Sequence, residues 1–358
     1  MHDVDLLALT ASLVDIPSES HDEAALTAHI EARLRALPHL EVERVGANLV
    51  ARTQLGRPRR VVLAGHTDTV PANGNANARI DGDLLWGLGA ADMKGGLAVM
   101  LALAEAVPDP AVDVTFVFYA GEEVAAEHNG LGHLMRDRPD LLDGDVAILG
   151  EPTGGEVEAG CQGTLRLEVT LGGTRAHTAR PWMGRNAIHR LGAVLHLLES
   201  FESRSPLIEG CQFREALQAV AVSGGVASNV VPDLASVTIN RRFAPDRTAA
   251  EAEAEVRALL EPLLEEGDEV RLVDAAPAAA PGLDNPVLRS LVEDHHLAVQ
   301  AKLGWTDVAR FAEAGIPACN LGPGDAVLAH RADERVDRAS LERSYEVLHA
   351  VLTTAAPG

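Results

Sequence analysis

Four short segments of the chain hold imidazole and carboxylate groups where they could act together. His66 and Asp68 follow the apolar run Val61-Val62-Leu63-Ala64-Gly65. Glu122 and Glu123 follow Phe116-Val117-Phe118-Tyr119-Ala120-Gly121, and Glu151 follows Val146-Ala147-Ile148-Leu149-Gly150. Asp92 opens a helical stretch within Gly89-Ala90-Ala91-Asp92-Met93-Lys94-Gly95-Gly96. Taken singly, each has an ordinary explanation. A histidine after a strand is usually structural or at the surface, Glu122-Glu123 would be a solvated loop, Asp92 a helix cap, and Glu151 before Pro152 a turn residue. Taken together they differ, because all project from equivalent places. Imidazole plus carboxylates suit Zn²⁺ or Co²⁺. A pair of such ions, ~3.5–4 Å apart, needs a bridging carboxylate and can share a hydroxide nucleophile.

The elements that must position these groups follow from the apolar pattern. The runs Val61 to Ala64, Val112 to Tyr119 and Val146 to Leu149 are too short for helices and are bounded by Gly or charge, as buried strands are. Met93 to Val107 reads as a helix entered through the turn Gly87-Leu88-Gly89. Ser20-x-x-Glu23 reads as a capping box before a helix carrying Leu26, Ile30, Leu34 and Leu37. Alternating strands and helices imply an α/β fold, with a mixed, largely parallel sheet and helices on both faces. In such sheets, sites form outside the carboxyl ends of the strands.

After Gly163 the pattern changes. Leu165, Leu167, Val169 and Leu171 alternate strictly, which suits a strand with one wet face. A helix over Asn186 to about Ser200, strands near 217–223 and 234–242, a helix opened by Thr248-x-x-Glu251 and a strand from Glu269 to Asp274 follow. That order is the split βαβ arrangement of a ferredoxin-like α+β domain. The stretch 275–282, AAPAAAPG, reads as a hinge. The expected plan is a catalytic domain of residues 1–163 and 283–358, interrupted by an inserted lid or dimerisation domain of residues 164–282.

The totals bound the partners. With 358 residues, about two domains are expected. A net charge of -23 argues against nucleic acid and anionic membrane, which both demand a basic footprint. A small anionic substrate remains compatible, since a few arginines can dominate a pocket. No run approaches the ~18 apolar residues of a membrane span. The N-terminal MHDVDLLALTASL has neither a basic start nor a cleavage site, so a cytoplasmic protein is expected. Cys161, Cys211 and Cys319, odd in number and widely spaced, read as reduced packing residues.

The same segments resemble a di-zinc hydrolase family that includes aminoacylases, acetylornithine deacetylase, glutamate carboxypeptidases and succinyl-diaminopimelate desuccinylase. The matching pieces are 65–71 (GHTDTVP), 87–96 (GLGAADMKGG), 121–123 (GEE), 150–152 (GEP), 176–181 (AHTARP) with Gly184-x-Asn186-Ala187, and a late His330. The resemblance spans about residues 5 to 350, in the family's order. It implies two Zn²⁺ per subunit, with Co²⁺ able to substitute. Asp92 would bridge the ions, with His66 and Glu151 on one, Glu123 and His330 on the other. Glu122 would be the general base, moving a proton from water to the leaving amine. Asp68 would fix the His66 tautomer. On sequence alone His177 is an ordinary surface histidine. By resemblance it comes from the lid, usually of the partner subunit, and stabilises the oxyanion, which implies a homodimer.

Within that family the chain looks most like the desuccinylases of high-GC bacteria. Segments 151–164, 180–190, 302–311 and 322–325 carry this likeness. It implies cleavage of N-succinyl-LL-2,6-diaminopimelate to succinate and LL-2,6-diaminopimelate, in lysine and cell-wall precursor biosynthesis. A substrate with three carboxylates calls for arginines. The candidates are Arg242, Arg180 and Arg185, joined in substrate binding by Asn229, Trp305 and Thr306. Some desuccinylases have Arg in the segment held here by Cys161-Gln162 and Thr where Trp305 stands, so Arg180 is expected to supply the missing charge. The alternative is an acetylornithine deacetylase or another N-acyl-amino-acid deacylase or carboxypeptidase of the same family. A non-catalytic relative would have lost Glu122 or a ligand, and none is missing. A nucleotide-binding module would need a G-x-G-x-x-G spacing that the glycines at 87–96 do not have.

Overall fold

A computed structural model describes residues 4–354 and divides the chain into two compact units. The first runs up to Ala159 and resumes over Pro281–Gln300 and from Asp307 onward; the second holds Gly160–Ala280 and Ala301–Thr306. The boundary of the insertion therefore lies a few residues before the expected 164, and a short return segment, 301–306, joins it. Among the described residues no helix is long and apolar enough to cross a membrane.

The first unit is built on an eight-stranded sheet. Its strands run in the order Glu41–Val45, Asn48–Arg52, Asp113–Tyr119, Arg60–His66, Val146–Leu149, Ala318–Asn320, Val157–Ala159, Val299–Ala301. Four central neighbours, Asp113–Tyr119, Arg60–His66, Val146–Leu149 and Ala318–Asn320, are mutually parallel. The flanking pairs, 41–45 with 48–52, 48–52 with 113–119, and 157–159 with 318–320, are antiparallel. The central strands are largely apolar because both faces are covered: every residue of Asp113–Tyr119 and Val146–Leu149 is buried. From Arg60–His66 the chain passes to 113–119 on one side, then crosses back to 146–149 on the other and continues outward to 318–320. Strands 60–66 and 146–149 are thus neighbours whose connections leave in opposite directions, the topological place where α/β sheets form sites.

The helix Lys94–Ala106 follows the Asp92 turn and is buried over its first eleven residues. It lies unusually close to the sheet. A Cβ on Gly96 would sit 2.2 Å from the Gly150 carbonyl oxygen, and one on Gly322 would sit 2.3 Å from the same atom. Three chain segments therefore meet at the carboxyl end of strand 146–149 with no room for a side chain.

The expected Ser20–Glu23 capping box does not form. The helix spans Ala24–Arg35, and Glu23 caps it without a side-chain hydrogen bond. The Glu23 carboxylate instead accepts from the His21 N–H at 2.9 Å, and the Ser20 hydroxyl is used elsewhere. The Thr248–Glu251 box does form, opening Ala249–Leu260.

In the inserted unit the antiparallel strands Gly163–Gly172, Ala216–Gly224, Leu234–Phe243 and Glu269–Ala276 alternate with the helices Ala187–Glu199 and Ala249–Leu260. The sheet order, 216–224, 234–243, 163–172, 269–276, is that of a ferredoxin-like fold. Leu165, Leu167, Val169 and Leu171 turn to the helices with Val237, Ile239 and Phe243, while the intervening residues stay outside. All three cysteines are buried thiols.

Replacing Gly96 with alanine should destabilise the fold by about 1–3 kcal/mol, as at overpacked sites, and so lower the denaturant midpoint of unfolding. An unchanged midpoint would show that the helix does not pack as closely as described.

Candidate metal centre

The carboxyl ends of the parallel strands deliver their side chains to one place. His66 ends its own strand, Glu122 and Glu123 follow Tyr119 by a turn, Glu151 follows Leu149, and His330 lies in the loop after Asn320. Among the described residues three overlapping groups result: His66 with Asp92 and Glu151, Asp92 with Glu123 and His330, and His66 with Glu122 and Glu123. Within each, one ligand atom per residue lies within 4.8 Å of the others. Asp92 belongs to the first two. Its Oδ1 is 3.1 Å from His66 Nε2 and its Oδ2 is 3.5 Å from His330 Nε2, so each oxygen faces a different imidazole. His330 Nε2 is also 2.7 Å from Glu123 Oε1. A donor set of two imidazole nitrogens and three carboxylates, one of them shared, fits a pair of borderline divalent ions.

Burial and neighbouring charge tune these groups. Burial works against a charged His66, yet Asp68, Asp92 and Glu151 outweigh it and hold its proton well above the ordinary imidazole range. Hydrogen bonding to Asp92 and Glu123 pushes His330 up to about 10. Burial raises the Asp92 carboxyl, but the two imidazoles more than reverse this and keep it ionised. Glu122 goes the other way. Burial lifts it well above the usual carboxylate range; His66 opposes this, and Glu151, Asp307 and Glu123 add to it. A carboxyl held so high takes up a proton readily, as an acid–base residue should.

Asp68 presents two acceptors to the His66 ring. His66 Nδ1 lies 3.0 Å from the Asp68 main-chain carbonyl and 3.5 Å from its carboxylate, so the closer acceptor is backbone. The carboxylate mainly serves the neighbouring turn. Oδ1 accepts from the Glu122 N–H at 3.0 Å, and Oδ2 from the Glu123 N–H at 3.1 Å and the Ser20 hydroxyl at 2.8 Å. It thereby fixes the two adjacent glutamates. Burial alone would raise the Asp68 carboxyl, but His66 and these N–H groups pull it well below the usual range.

Two contributors escaped the sequence reading. Ser20 looked like a helix cap and is a donor to Asp68 instead. Glu334, 1 % exposed, accepts from the Ala91 and Asp92 N–H groups at 3.0 Å each. Burial is the main cause that raises its carboxyl to about 7. Its only sequence signal was an acidic residue four positions after His330.

The proposed substrate-binding residues of the inserted unit fall into two groups. His177, in Ala176–His177, pairs with Val230–Val231, and the Thr178 N–H donates to the Asn229 carbonyl at 3.0 Å. Arg180 follows, its N–H donating to the His177 carbonyl at 2.7 Å; all three side chains are exposed. Arg242 lies at the other end of Leu234–Phe243, eight residues from Leu234 and so ~26 Å along the strand. There Cys161 Sγ lies 3.7 Å from the Thr306 carbonyl, and the Trp305 indole N–H donates to the Pro277 carbonyl at 3.1 Å. The Thr306 hydroxyl is buried and finds no hydrogen-bond partner among the described residues. Arg185 is bound by Glu265, so its guanidinium is already engaged.

The chain matches peptidase family M20/M25/M40 over residues 62–354. It is 52% identical over 349 residues to a Mycobacterium tuberculosis protein that carries the name succinyl-diaminopimelate desuccinylase DapE, covering 97% of this chain and 98% of that one. It is 44% identical over 337 residues to the succinyl-diaminopimelate desuccinylase of Corynebacterium glutamicum, covering 92% and 91%. Among solved structures it resembles a Staphylococcus aureus tripeptidase, with TM-score 0.80, 21% identity and 98% of each chain covered. It also resembles a dinuclear metal-binding peptidase of Bacillus subtilis, with TM-score 0.70, 17% identity and 97% and 96% covered. The chain belongs to the M20/M25/M40 family.

Because metal ligands must be deprotonated, binding should release the protons held by His66 and His330. Calorimetric zinc titration of the metal-free protein near pH 8, in buffers of different ionisation enthalpy, should give roughly two protons released at saturation. Release of none would contradict this arrangement.

Proposed function

We propose that this member of the M20/M25/M40 family is a succinyl-diaminopimelate desuccinylase, hydrolysing N-succinyl-LL-2,6-diaminopimelate to succinate and LL-2,6-diaminopimelate. The observation that carries a metal-dependent hydrolysis is Asp92, with one imidazole facing each carboxylate oxygen. The high identity to the two desuccinylases, over nearly the whole chain, supports the substrate. The assigned cofactor is a pair of Zn²⁺ ions, for which Co²⁺ can substitute. His66 and Glu151 would hold one ion, Glu123 and His330 the other, and Asp92 both. When bound, such a pair polarises the scissile carbonyl and makes water acidic enough to attack near neutral pH.

The chain's own residues move the proton. Glu122 lies within ligand spacing of His66 and Glu123 but belongs to neither group that shares Asp92, and its raised pKa makes it competent to accept a proton from water and give it to the departing amine. The Asp68 carboxylate holds the Glu122 and Glu123 N–H groups, so that one side chain can serve metal and its neighbour the proton.

His177 is assigned to the oxyanion. Its separation from the Arg242, Trp305 and Thr306 group along the same unit supports a division of labour between two copies. In this homodimer the partner subunit's His177 completes each site. The exposed apolar residues Val220 and Val222 of the outer strand Ala216–Gly224, 57 % exposed each, support an interface through the inserted unit. Arg180 and Arg242 are the cations assigned to substrate carboxylates.

Turnover of succinyl-diaminopimelate should exceed that of acetylornithine or a dipeptide in the zinc-loaded enzyme, and Glu122→Gln should lower kcat by about 10²–10⁴-fold while both metals stay bound. A preference for acetylornithine would replace the substrate but keep the chemistry. Metal-replete Glu122→Gln with full activity would remove the proposed base. His177→Ala should also be inactive with both metals present. Mixed with Glu122→Gln, it should regain activity through hybrid dimers, and no recovery would argue against action across the dimer.

A further inference from the structure

We propose that Glu334 is a positioning residue that sets the bridging Asp92 against His330, by gripping the main chain of the Ala91–Asp92 turn. The inference rests on the reading of Asp92 as the carboxylate shared by two ions. A single oxygen of Glu334, Oε1, accepts from both the Ala91 and the Asp92 N–H groups. The Glu334 main-chain carbonyl accepts from the Gly87 N–H at 3.1 Å. Backbone and side chain of one residue therefore hold the turn that carries Asp92 at both its ends.

The same residue is tied to the other ligand. Glu334 lies four positions after His330, and its N–H donates to the Arg331 carbonyl at 3.1 Å, closing the loop that joins them. His330 itself has a φ of 63°, a left-handed backbone that a non-glycine residue adopts only where its surroundings hold it. This short loop thus has two fixed points on the Asp92 segment, the carboxylate of Glu334 beneath its N–H and the imidazole of His330 facing its Oδ2. Residues 92 and 334 are 242 positions apart in the chain, and the Glu334 contacts bring their segments into register. Buried N–H groups need an acceptor. Without Glu334, the Ala91 and Asp92 N–H groups would turn to seek another, and Asp92 would turn with them.

Zinc affinity, measured by competition with a chromophoric chelator, tests this in the wild type, Glu334→Ala and Glu334→Gln, alongside thermal melts of the metal-free proteins. The glutamine keeps an oxygen acceptor, so it should bind both ions within about threefold of the wild type. The alanine should weaken at least one site by about 10–100-fold, the usual effect of losing a partner behind the ligands. It should lower kcat in proportion and leave KM unchanged. If the alanine variant does not fold, Glu334→Asp, whose arm is one methylene shorter, should shift affinity in the same direction. Two tightly bound ions and wild-type kcat in Glu334→Ala would overturn the proposal, as would a glutamine variant no better than the alanine. A wild type that binds fewer than two ions would instead remove the metal-pair reading, and this proposal with it.

Discussion

The Asp92 carboxylate, facing His66 through one oxygen and His330 through the other, is the interaction on which the rest of the first unit depends. Three carboxylates in so small a volume repel one another unless positive charge lies between them. Without a cation the imidazoles take up that charge, which is why both hold protons well above their ordinary range. A metal pair would supply the same charge without protons and leave the imidazole nitrogens free to coordinate. The fold must hold this cluster together despite its repulsion, and it does so from His66 at a strand end and from short turns and loops tied to the sheet.

Rigidity comes from the parallel sheet and from close packing beneath it. Strands 60–66, 113–119 and 146–149 are buried on both faces, so the residues that leave their carboxyl ends start from fixed points. Gly96 and Gly322 let the helix 94–106 and the loop toward His330 approach the Gly150 carbonyl directly. Around this frame, Asp68 holds the Glu122–Glu123 turn and Ser20 holds Asp68. The hydrogen bonds that orient the ligands therefore pass through carboxylates that do not themselves belong to the two groups sharing Asp92.

Much of this was legible in the sequence, for a physical reason. Short apolar runs ending in Gly followed by His or Glu mark buried strands with a polar group at the carboxyl end, and period-two alternation at Leu165 to Leu171 marked the half-exposed sheet of the inserted unit. Residues that act through the backbone were not legible. Ser20 has the spacing of a helix cap, yet its hydroxyl finds Asp68, 48 positions away. Asp68 looked like a partner for the His66 ring, but a main-chain oxygen lies nearer. Glu334 has no neighbour in sequence that betrays a role, since its partners are N–H groups at Ala91 and Asp92. The ferredoxin-like order could be read from the alternation, but the distance between His177 and Arg242 along one strand needed the folded register.

The central claim is that Asp92 lies between two metal ions. Anomalous diffraction at the zinc edge, from crystals of the reconstituted protein, tests it most directly. The account predicts two peaks per chain, one against His66 and Glu151, the other against Glu123 and His330, with the Asp92 carboxylate touching both. A single peak, or two peaks that Asp92 does not join, would contradict it.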